Sequence, residues 1–306
     1  MLNYTSCELT NQADKTFAIW SVAKLVRDNL QPVNQYGCGL WSIALHEQLA
    51  WQVKASKPNA RMASLQAVFP SWSWASVNAP IQIRDRIVVP RCYTIKNHEG
   101  APLSFSDFKD KAMNRNMQPQ FAASDSLAIR GHLVLGHLER NSVDGSFTFE
   151  RAETGLTQRH DVVMDEDPPE AMFKLFKFHL LPLVAQKTSD DEKTYAGSAL
   201  VLISTHDYGR LIQSILVEQK SQLDNSCSSN SSEAGTHADR DTELQMLRWG
   251  IDALNAYLQR VAKQDRDLPE RNGNAFRRVG VLQFSDLAAE EWAKIRKDRE
   301  RMIWLD

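Results

Sequence analysis

The 306-residue chain lacks several features that common protein classes require. Its four cysteines (Cys7, Cys38, Cys92 and Cys227) lie far apart and form no CxxC pair, which speaks against a zinc site and a disulfide framework. No apolar run reaches the ~18 residues of a membrane helix, and no secretory signal opens the chain. We therefore expect free thiols, no metal, no membrane contact and a cytoplasmic protein, with Cys38 and Cys92 in the core.

The chain also lacks a strong charge of either sign and the glycine-rich loops of nucleotide-binding enzymes. Its 36 Lys and Arg and 38 Asp and Glu give a formal charge of −2, so electrostatics predict no nucleic-acid partner. Neither GxGxxG nor GxxxxGK[ST] occurs, and no GxSxG elbow exposes a serine nucleophile. We therefore expect no enzyme activity, no catalytic residues and no cofactor. The hydrophobic fraction of 42% is sufficient for a sizeable core.

Residues 1–60 are predicted to form a helical hairpin. The first helix begins after Thr10 and ends at Gln31-Pro32, and the second runs from about Leu40 to Lys54. Each helix has apolar residues at helical spacing: Ile19, Ala23, Val26 and Leu30 in the first, and Trp41, Leu45, Leu49 and Val53 in the second.

The period then changes to one typical of strands, and residues 61–218 are predicted to form a β-rich domain. Strand candidates lie at 127–135, 146–151, 176–184 and 195–204, while the segment 211–217 fits a strand or a helix. Residues 275–306 are predicted to add a final strand, a helix with early acids and late bases, and a closing strand. The fold class is therefore α+β, a helical hairpin packed on a mostly antiparallel barrel-like or sandwich-like domain.

Residues 219–274 are predicted to be an insertion. Residues 219–241 are rich in Ser, Asn and Asp and are predicted to be disordered. Residues 242–263 are predicted to form an amphipathic helix, which either packs on the chain's own β-rich domain or binds a protein partner. The apolar residues of this helix are Leu244, Leu247, Ile251, Leu254, Leu258 and Val261.

One constellation of residues is distinctive. Gly39-Leu40-Trp41 precedes Trp51 and then the segment 70–76, which consists of Pro70, Ser71, Trp72, Ser73, Trp74, Ala75 and Ser76. In an extended segment, alternation with serine would place Trp72 and Trp74 on one side, either as a ligand platform or as a buried plug. Because each tryptophan buries about 150–250 Å², we favour the plug, which pins the hairpin to the β-rich domain.

This pattern resembles the fungal heterokaryon-incompatibility (HET domain) family, whose members carry "GLW…LLW…APSWSWAS" after the HET domain. Looser agreement continues at Ala196-Gly197 and at Phe276-Arg277-Arg278-Val279-Gly280. The resemblance implies a role in fungal nonself recognition. Because this chain starts where the family's HET domain ends, it also implies a truncated protein that lacks the death-inducing domain, so that an accessory or recognition function would remain.

A second hypothesis comes from the aromatic content and the barrel prediction. A β-barrel can bind a small molecule or catalyse a reaction on it, and some genes of the resembled family lie in fungal secondary-metabolite clusters, where such a protein would be an accessory. This hypothesis predicts a cavity with converging polar groups of perturbed pKa. A filled barrel interior would contradict it.

Overall fold

The computed structural model describes residues 2–5, 15–29, 36–41, 45–54, 69–83, 91–96, 126–151, 160–166, 172–173, 176–188, 193–229, 271 and 273–306, with separate positions between 245 and 267. The helices are α1 (Leu2–Thr5), α2 (Lys15–Asn29), α3 (Leu45–Leu49), α4 (Thr205–Ser229) and α5 (Ala289–Lys297). The short strands are β1 (Tyr36–Gly37), β2 (Leu40–Trp41), β3 (Gln52–Val53), β4 (Ile81–Gln82) and β5 (Tyr93–Lys96). The longer strands are β6 (Leu127–Gly131), β7 (Val134–Arg140), β8 (Phe147–Arg151), β9 (His160–Met164), β10 (Phe178–Lys187), β11 (Thr194–Ser204), β12 (Ala275–Ala288) and β13 (Arg301–Leu305).

Six of these strands form a closed antiparallel barrel. The order around it is β7-β8-β9-β12-β11-β10, and β10 pairs with β7 to complete the circle. On β10, Leu180 lies between Val134 of β7 and Val201 of β11, which fixes the register at the closure. Because every barrel strand is paired on both sides, the barrel has no open edge. The fold is α+β with mostly antiparallel β-structure, as the sequence predicted.

Strands β10 and β11 are buried on both faces. Leu180 and Val201 belong to the core inside the barrel, whereas their neighbours Leu181 and Leu200 belong to a second core on its outer surface. Since successive side chains of a strand point to opposite faces, burial of both faces needs an uninterrupted apolar run. This requirement explains why these two strands were the clearest strand predictions.

The outer core is covered by strands that extend the barrel sheet. β13 pairs in parallel with β12, β6 pairs with β13, and β5 pairs with β6. The segment 69–83 and the separate β3–β4 pair lie over the same core, in which Trp51 and Trp74 are fully buried. The predicted final strand, helix and closing strand correspond to β12, α5 and β13.

The predicted helical hairpin is wrong. Its first helix exists as α2, but the second is reduced to the five residues of α3. Leu40–Trp41 instead pairs with Tyr36–Gly37, and the Gln48 side chain bonds both the N–H and the carbonyl of Trp41, at 2.8 and 3.0 Å. After α3 the chain becomes extended, because β3 pairs with β4. The four-residue spacing of Trp41, Leu45, Leu49 and Val53 therefore reflects packing around the outer core and not one continuous helix.

The predicted insertion also differs from the structure. Residues 205–229 form one helix, α4, so the disorder predicted from 219 is wrong as far as Ser229, and the undecided segment 211–217 is helical. The structure does not describe a continuous helix over 242–263. Its candidate residues Leu244, Leu247, Ile251 and Leu254 lie outside the described residues. Leu258 and Val261 pack against Ile212 and Leu216 of α4.

Candidate functional site

The segment 70–76 is a turn and not the extended strand expected from its alternating sequence. Trp74–Ser76 forms a single 3-10 turn, and Ser73 caps it by accepting a hydrogen bond from the Ala75 N–H at 3.1 Å. The Ser73 hydroxyl donates to the Cys38 carbonyl at 2.6 Å, and that of Ser76 donates to the Ser73 carbonyl at 2.7 Å. The serines therefore hold the turn and attach it to the loop before β2.

Both tryptophans of this segment are buried, and backbone carbonyls accept hydrogen bonds from two indoles of the motif, those of Trp74 and Trp51. Trp74 donates from Nε1 to the Gly39 carbonyl at 2.8 Å, and Trp51 donates from Nε1 to the Trp72 carbonyl at 2.9 Å. Gly39 has a φ of +84°, and a Cβ there would lie 2.5 Å from Trp74 Nε1. Only glycine meets both conditions without strain, because the left-handed region disfavours residues that carry a Cβ. The glycine of Gly-Leu-Trp and the second tryptophan thus depend on each other.

Beneath these rings lies a buried ion pair that sequence reasoning missed. Arg278 of β12 donates from Nε and Nη2 to the two carboxylate oxygens of Asp165, each at 2.9 Å. It also donates to the carbonyls of Leu49 (2.6 Å) and Trp51, and its guanidinium carbon lies 3.5 Å from the Trp51 ring centroid. Arg278 and Asp165 are both fully buried. The sequence does show two adjacent arginines, Arg277 and Arg278, inside an apolar strand, which indicates a buried charge. Nothing in the sequence identifies Asp165 as the partner.

The last residue of the chain joins the same cluster. The Ser71 N–H donates to the Asp306 carbonyl at 2.7 Å, and the Ser71 hydroxyl accepts from the Arg278 N–H at 3.0 Å. The Asp306 carboxylate accepts from Thr205 at 2.9 Å and pairs with Arg271. The motif therefore connects β12, β13 and α4.

Lys15 attaches helix α2 to this cluster. Its ammonium donates to the Val77 carbonyl at 2.7 Å and to the Asn78 side-chain oxygen at 3.3 Å. Burial lowers the pKa of Lys15 to about 8, because removal from water disfavours the charged form. Val77 and Asn78 directly follow the 3-10 turn, so Lys15 connects α2 to that turn. We call the whole assembly the tryptophan cluster; it consists of residues 38–41, 49–51 and 70–78 together with Lys15, Asp165 and Arg278.

The barrel interior contains a second candidate site. A cavity of about 40 Å³ is lined from all six strands, by Val134, Phe149, His160, Leu180, Ala199 and Leu282, and is closed by Trp292 and Ile295 of α5. Gly136 makes room for one of the lining rings, since a Cβ there would lie 2.2 Å from Phe149 Cζ. We call this space the barrel cavity.

Three polar side chains belong to the wall of the barrel cavity: Arg151, His160 and Glu291. Arg151 pairs with Asp298, with 3.7 Å between Nη2 and Oδ2. Burial lowers the pKa of His160, while the nearby carboxylates of Asp286, Glu291 and Asp161 oppose that shift. Glu291 is 9% exposed, and its Oε1 has no hydrogen-bond partner within the described part of the chain. Glu291 is one of the early acids of the predicted final helix, and the sequence did not identify it as a site residue. Its position one turn before Ile295 aligns it with the apolar face of that helix.

The remaining sequence expectations concern metals, thiols and membranes. Among the described residues, no three His, Cys, Asp or Glu side chains come together as a possible metal site. Cys38 is buried and Cys92 half-buried, as expected of core thiols, and burial raises the pKa of Cys92 to about 11. Cys7 lies outside the described residues. None of the described helices has the length and apolarity needed to span a membrane.

The structure brings together the motif residues that the sequence singled out: Gly39, Leu40, Trp51 and 70–76 are all buried in the tryptophan cluster, and Trp41 is half-buried beside them. Of the helix candidates, Leu258 and Val261 pack on α4. The other four lie outside the described residues. Comparisons with family models, with curated proteins and with solved structures found no match to this chain.

Proposed function

We propose that this chain is a non-enzymatic recognition or accessory region of a fungal protein of the heterokaryon-incompatibility type, acting in the cytoplasm through protein contact. The interlocking of the motif supports this proposal. Trp74 bonds Gly39, Ser73 bonds Cys38 and Trp51 bonds Trp72, so the Gly-Leu-Trp and Ser-Trp-Ser-Trp pieces form one physical unit. A resemblance that consists of mutually dependent residues is a stronger argument for kinship than one of scattered identities.

The same contacts support an architectural role for the motif. Trp72 is 2% exposed and Trp74 is fully buried, so neither ring offers a platform to a ligand. Recognition would then depend on residues outside the motif, and the amphipathic segment 242–263 is the proposed contact for a protein partner. Leu258 and Val261 pack against α4. The remaining apolar residues of the segment are proposed as the partner contacts on their sequence pattern alone.

Co-expression of the full chain with a HET domain from a fungal incompatibility protein, followed by size-exclusion chromatography, tests this proposal. We expect a stable complex, about tenfold weaker with Leu247→Asp, as is common for an apolar anchor. Asp252→Asn is the matched control, because Asp252 is exposed within the same segment and its substitution should leave affinity unchanged. A well-folded chain that forms no complex would overturn the recognition role.

A second candidate function is small-molecule binding inside the barrel. The barrel cavity favours it, because mostly apolar walls with a few converging polar groups are the usual composition of a ligand site. The two candidates involve different parts of the molecule. The residues that line the cavity lie outside 242–263, so the two functions can be tested separately.

A further inference from the structure

The barrel cavity has an unusual balance of polar groups. Of the three polar side chains in its wall, Arg151 has its charge matched by Asp298. Burial lowers the pKa of His160, because removal from water disfavours its charged form. Glu291 contributes a buried acceptor to this wall, since its Oε1 accepts no hydrogen bond within the described residues.

Glu291 is held in this position by rigid neighbours. Helix α5 is joined to the barrel by the Ala289 N–H, which donates to the Lys193 carbonyl at 2.6 Å. One residue after Glu291, the Trp292 ring packs on Tyr195 of β11, with ring centroids 5.7 Å apart. Because buried acceptors are nearly always matched by a donor, an unmatched one beside a cavity points to a donor that the described residues do not supply.

We infer that the barrel cavity binds a small apolar molecule with one hydrogen-bond donor, a short-chain primary alcohol, whose O–H donates to Glu291 Oε1. This inference rests on the second candidate function and is independent of the recognition role. A water needs about 10–15 Å³ of such space, so a cavity of about 40 Å³ takes a ligand of only a few heavy atoms. Val134, Leu180 and Leu282 contact its alkyl chain.

Propan-1-ol is a suitable probe, and methoxyethane, which has the same formula as propan-1-ol but no donor, is the matched control. The full chain with ¹³C-labelled methyl groups is titrated with each probe and followed by NMR. We expect saturable shifts of the Val134, Leu282 and Ile295 methyl signals with Kd in the millimolar range, as the small size of the probes dictates. Leu40 and Leu49 of the tryptophan cluster should not shift, and methoxyethane should bind at least about tenfold more weakly.

Two variants assign the donor contact and the space. Glu291→Met keeps the side-chain length but removes the acceptor, and should weaken propan-1-ol binding about tenfold. Glu290→Met is its matched control on the exposed side of α5 and should bind as the unmodified chain does. Ala199→Val narrows the cavity, leaves Glu291 unchanged and should also weaken propan-1-ol binding. If Glu291→Met does not fold, this variant tests whether propan-1-ol occupies the cavity.

Three results would overturn the inference: no saturable shift of the cavity methyls, equal binding of methoxyethane and propan-1-ol, or undiminished propan-1-ol binding by folded Glu291→Met. Loss of propan-1-ol binding in Ala199→Val with intact capture of a HET domain separates this site from the recognition role. Failure of both functions in the same folded protein would remove both proposals.

Discussion

The tryptophan cluster and the barrel cavity are separated by one layer of sheet, yet they treat buried charge differently. In the cluster, each guanidinium nitrogen of Arg278 donates to a carboxylate oxygen or a carbonyl of the chain, and the guanidinium lies over an aromatic face. In the cavity, Glu291 Oε1 is buried beside open space without a donor from the described residues. A fully matched buried charge indicates architecture, whereas an unmatched one next to a void indicates binding.

This difference separates the two functional hypotheses. The family-like motif lies in the tryptophan cluster, where hydrogen bonds to backbone carbonyls account for Trp51, Trp74 and the serines. The cavity contains none of the motif residues. A ligand function of the barrel therefore draws no support from the resemblance, and the resemblance loses nothing if the cavity proves empty.

The largest expected effect is the loss of one partner from the buried ion pair. Arg278→Met leaves the Asp165 carboxylate buried without its cation and should lower the free energy of unfolding by about 3–5 kcal/mol. Arg130→Met is the matched control, since Arg130 pairs with Glu300 at the surface, with side chains 47% and 44% exposed, and should cost less than about 1 kcal/mol. Urea unfolding with unchanged m-values measures both.

Replacing both members of the ion pair sharpens this prediction. Arg278→Met with Asp165→Leu removes both charges, so it should recover part of the stability lost by Arg278→Met alone. If Arg278→Met cost no more than Arg130→Met, the buried pair would not hold the tryptophan cluster together.

A smaller effect is expected at the glycine under Trp74. Gly39→Ala introduces a Cβ at a positive φ and within 2.5 Å of the indole, and should cost about 2–4 kcal/mol from backbone strain and overpacking. Gly273→Ala is the matched control, with a φ of +74° and no atom within 4 Å of the added Cβ, and should cost about 1 kcal/mol. Equal losses in urea unfolding would show that the Trp74 contact contributes nothing.

The parts of the fold that the sequence predicted are those with local causes. β10, β11 and β12 carry apolar runs that double-sided burial demands, and α2 carries a helical period. The pairing of β11 with β12 joins residues about 80 positions apart, such as Val201 and Gly280, and no local sequence pattern predicts it. The second helix of the hairpin was wrong for a related reason, because pairing of β3 with β4 overrides the apolar spacing around Trp51.

The sites divide in the same way. The sequence identified Trp72 and Trp74 because bulky aromatics with fixed neighbours stand out along the chain. It did not identify Glu291, since an acid in the first turn of a helix is common at the surface. The packing of α5 across the barrel buries Glu291 and leaves Glu290 exposed.

The pH dependence of stability in the alkaline range tests the tryptophan cluster separately from the cavity, through Lys15. The pKa of Lys15 is about 8 in the folded chain and near 10.4 unfolded, so between these values the unfolded state binds the extra proton. Stability should therefore rise with pH across this window, by about 1–2 kcal/mol after allowance for solvent. Lys15→Met should flatten this rise in urea unfolding at pH 8 and pH 10, and an equally steep rise in the variant would contradict the assignment.

The pH dependence of stability in the mildly acidic range tests the cavity through His160, and it is the smallest of the expected effects on stability. Because burial lowers the pKa of His160, the unfolded state binds a proton below about pH 6.5 that the folded state does not, and stability falls as pH falls. His160→Phe should lose less stability than the unmodified chain between pH 7 and pH 5. His179, whose pKa burial lowers to about 4, acts in the same direction in both proteins and cancels in their difference. If the two proteins lose stability in parallel, the His160 ring is not desolvated, and the barrel cavity is wetter than a site for an apolar ligand should be.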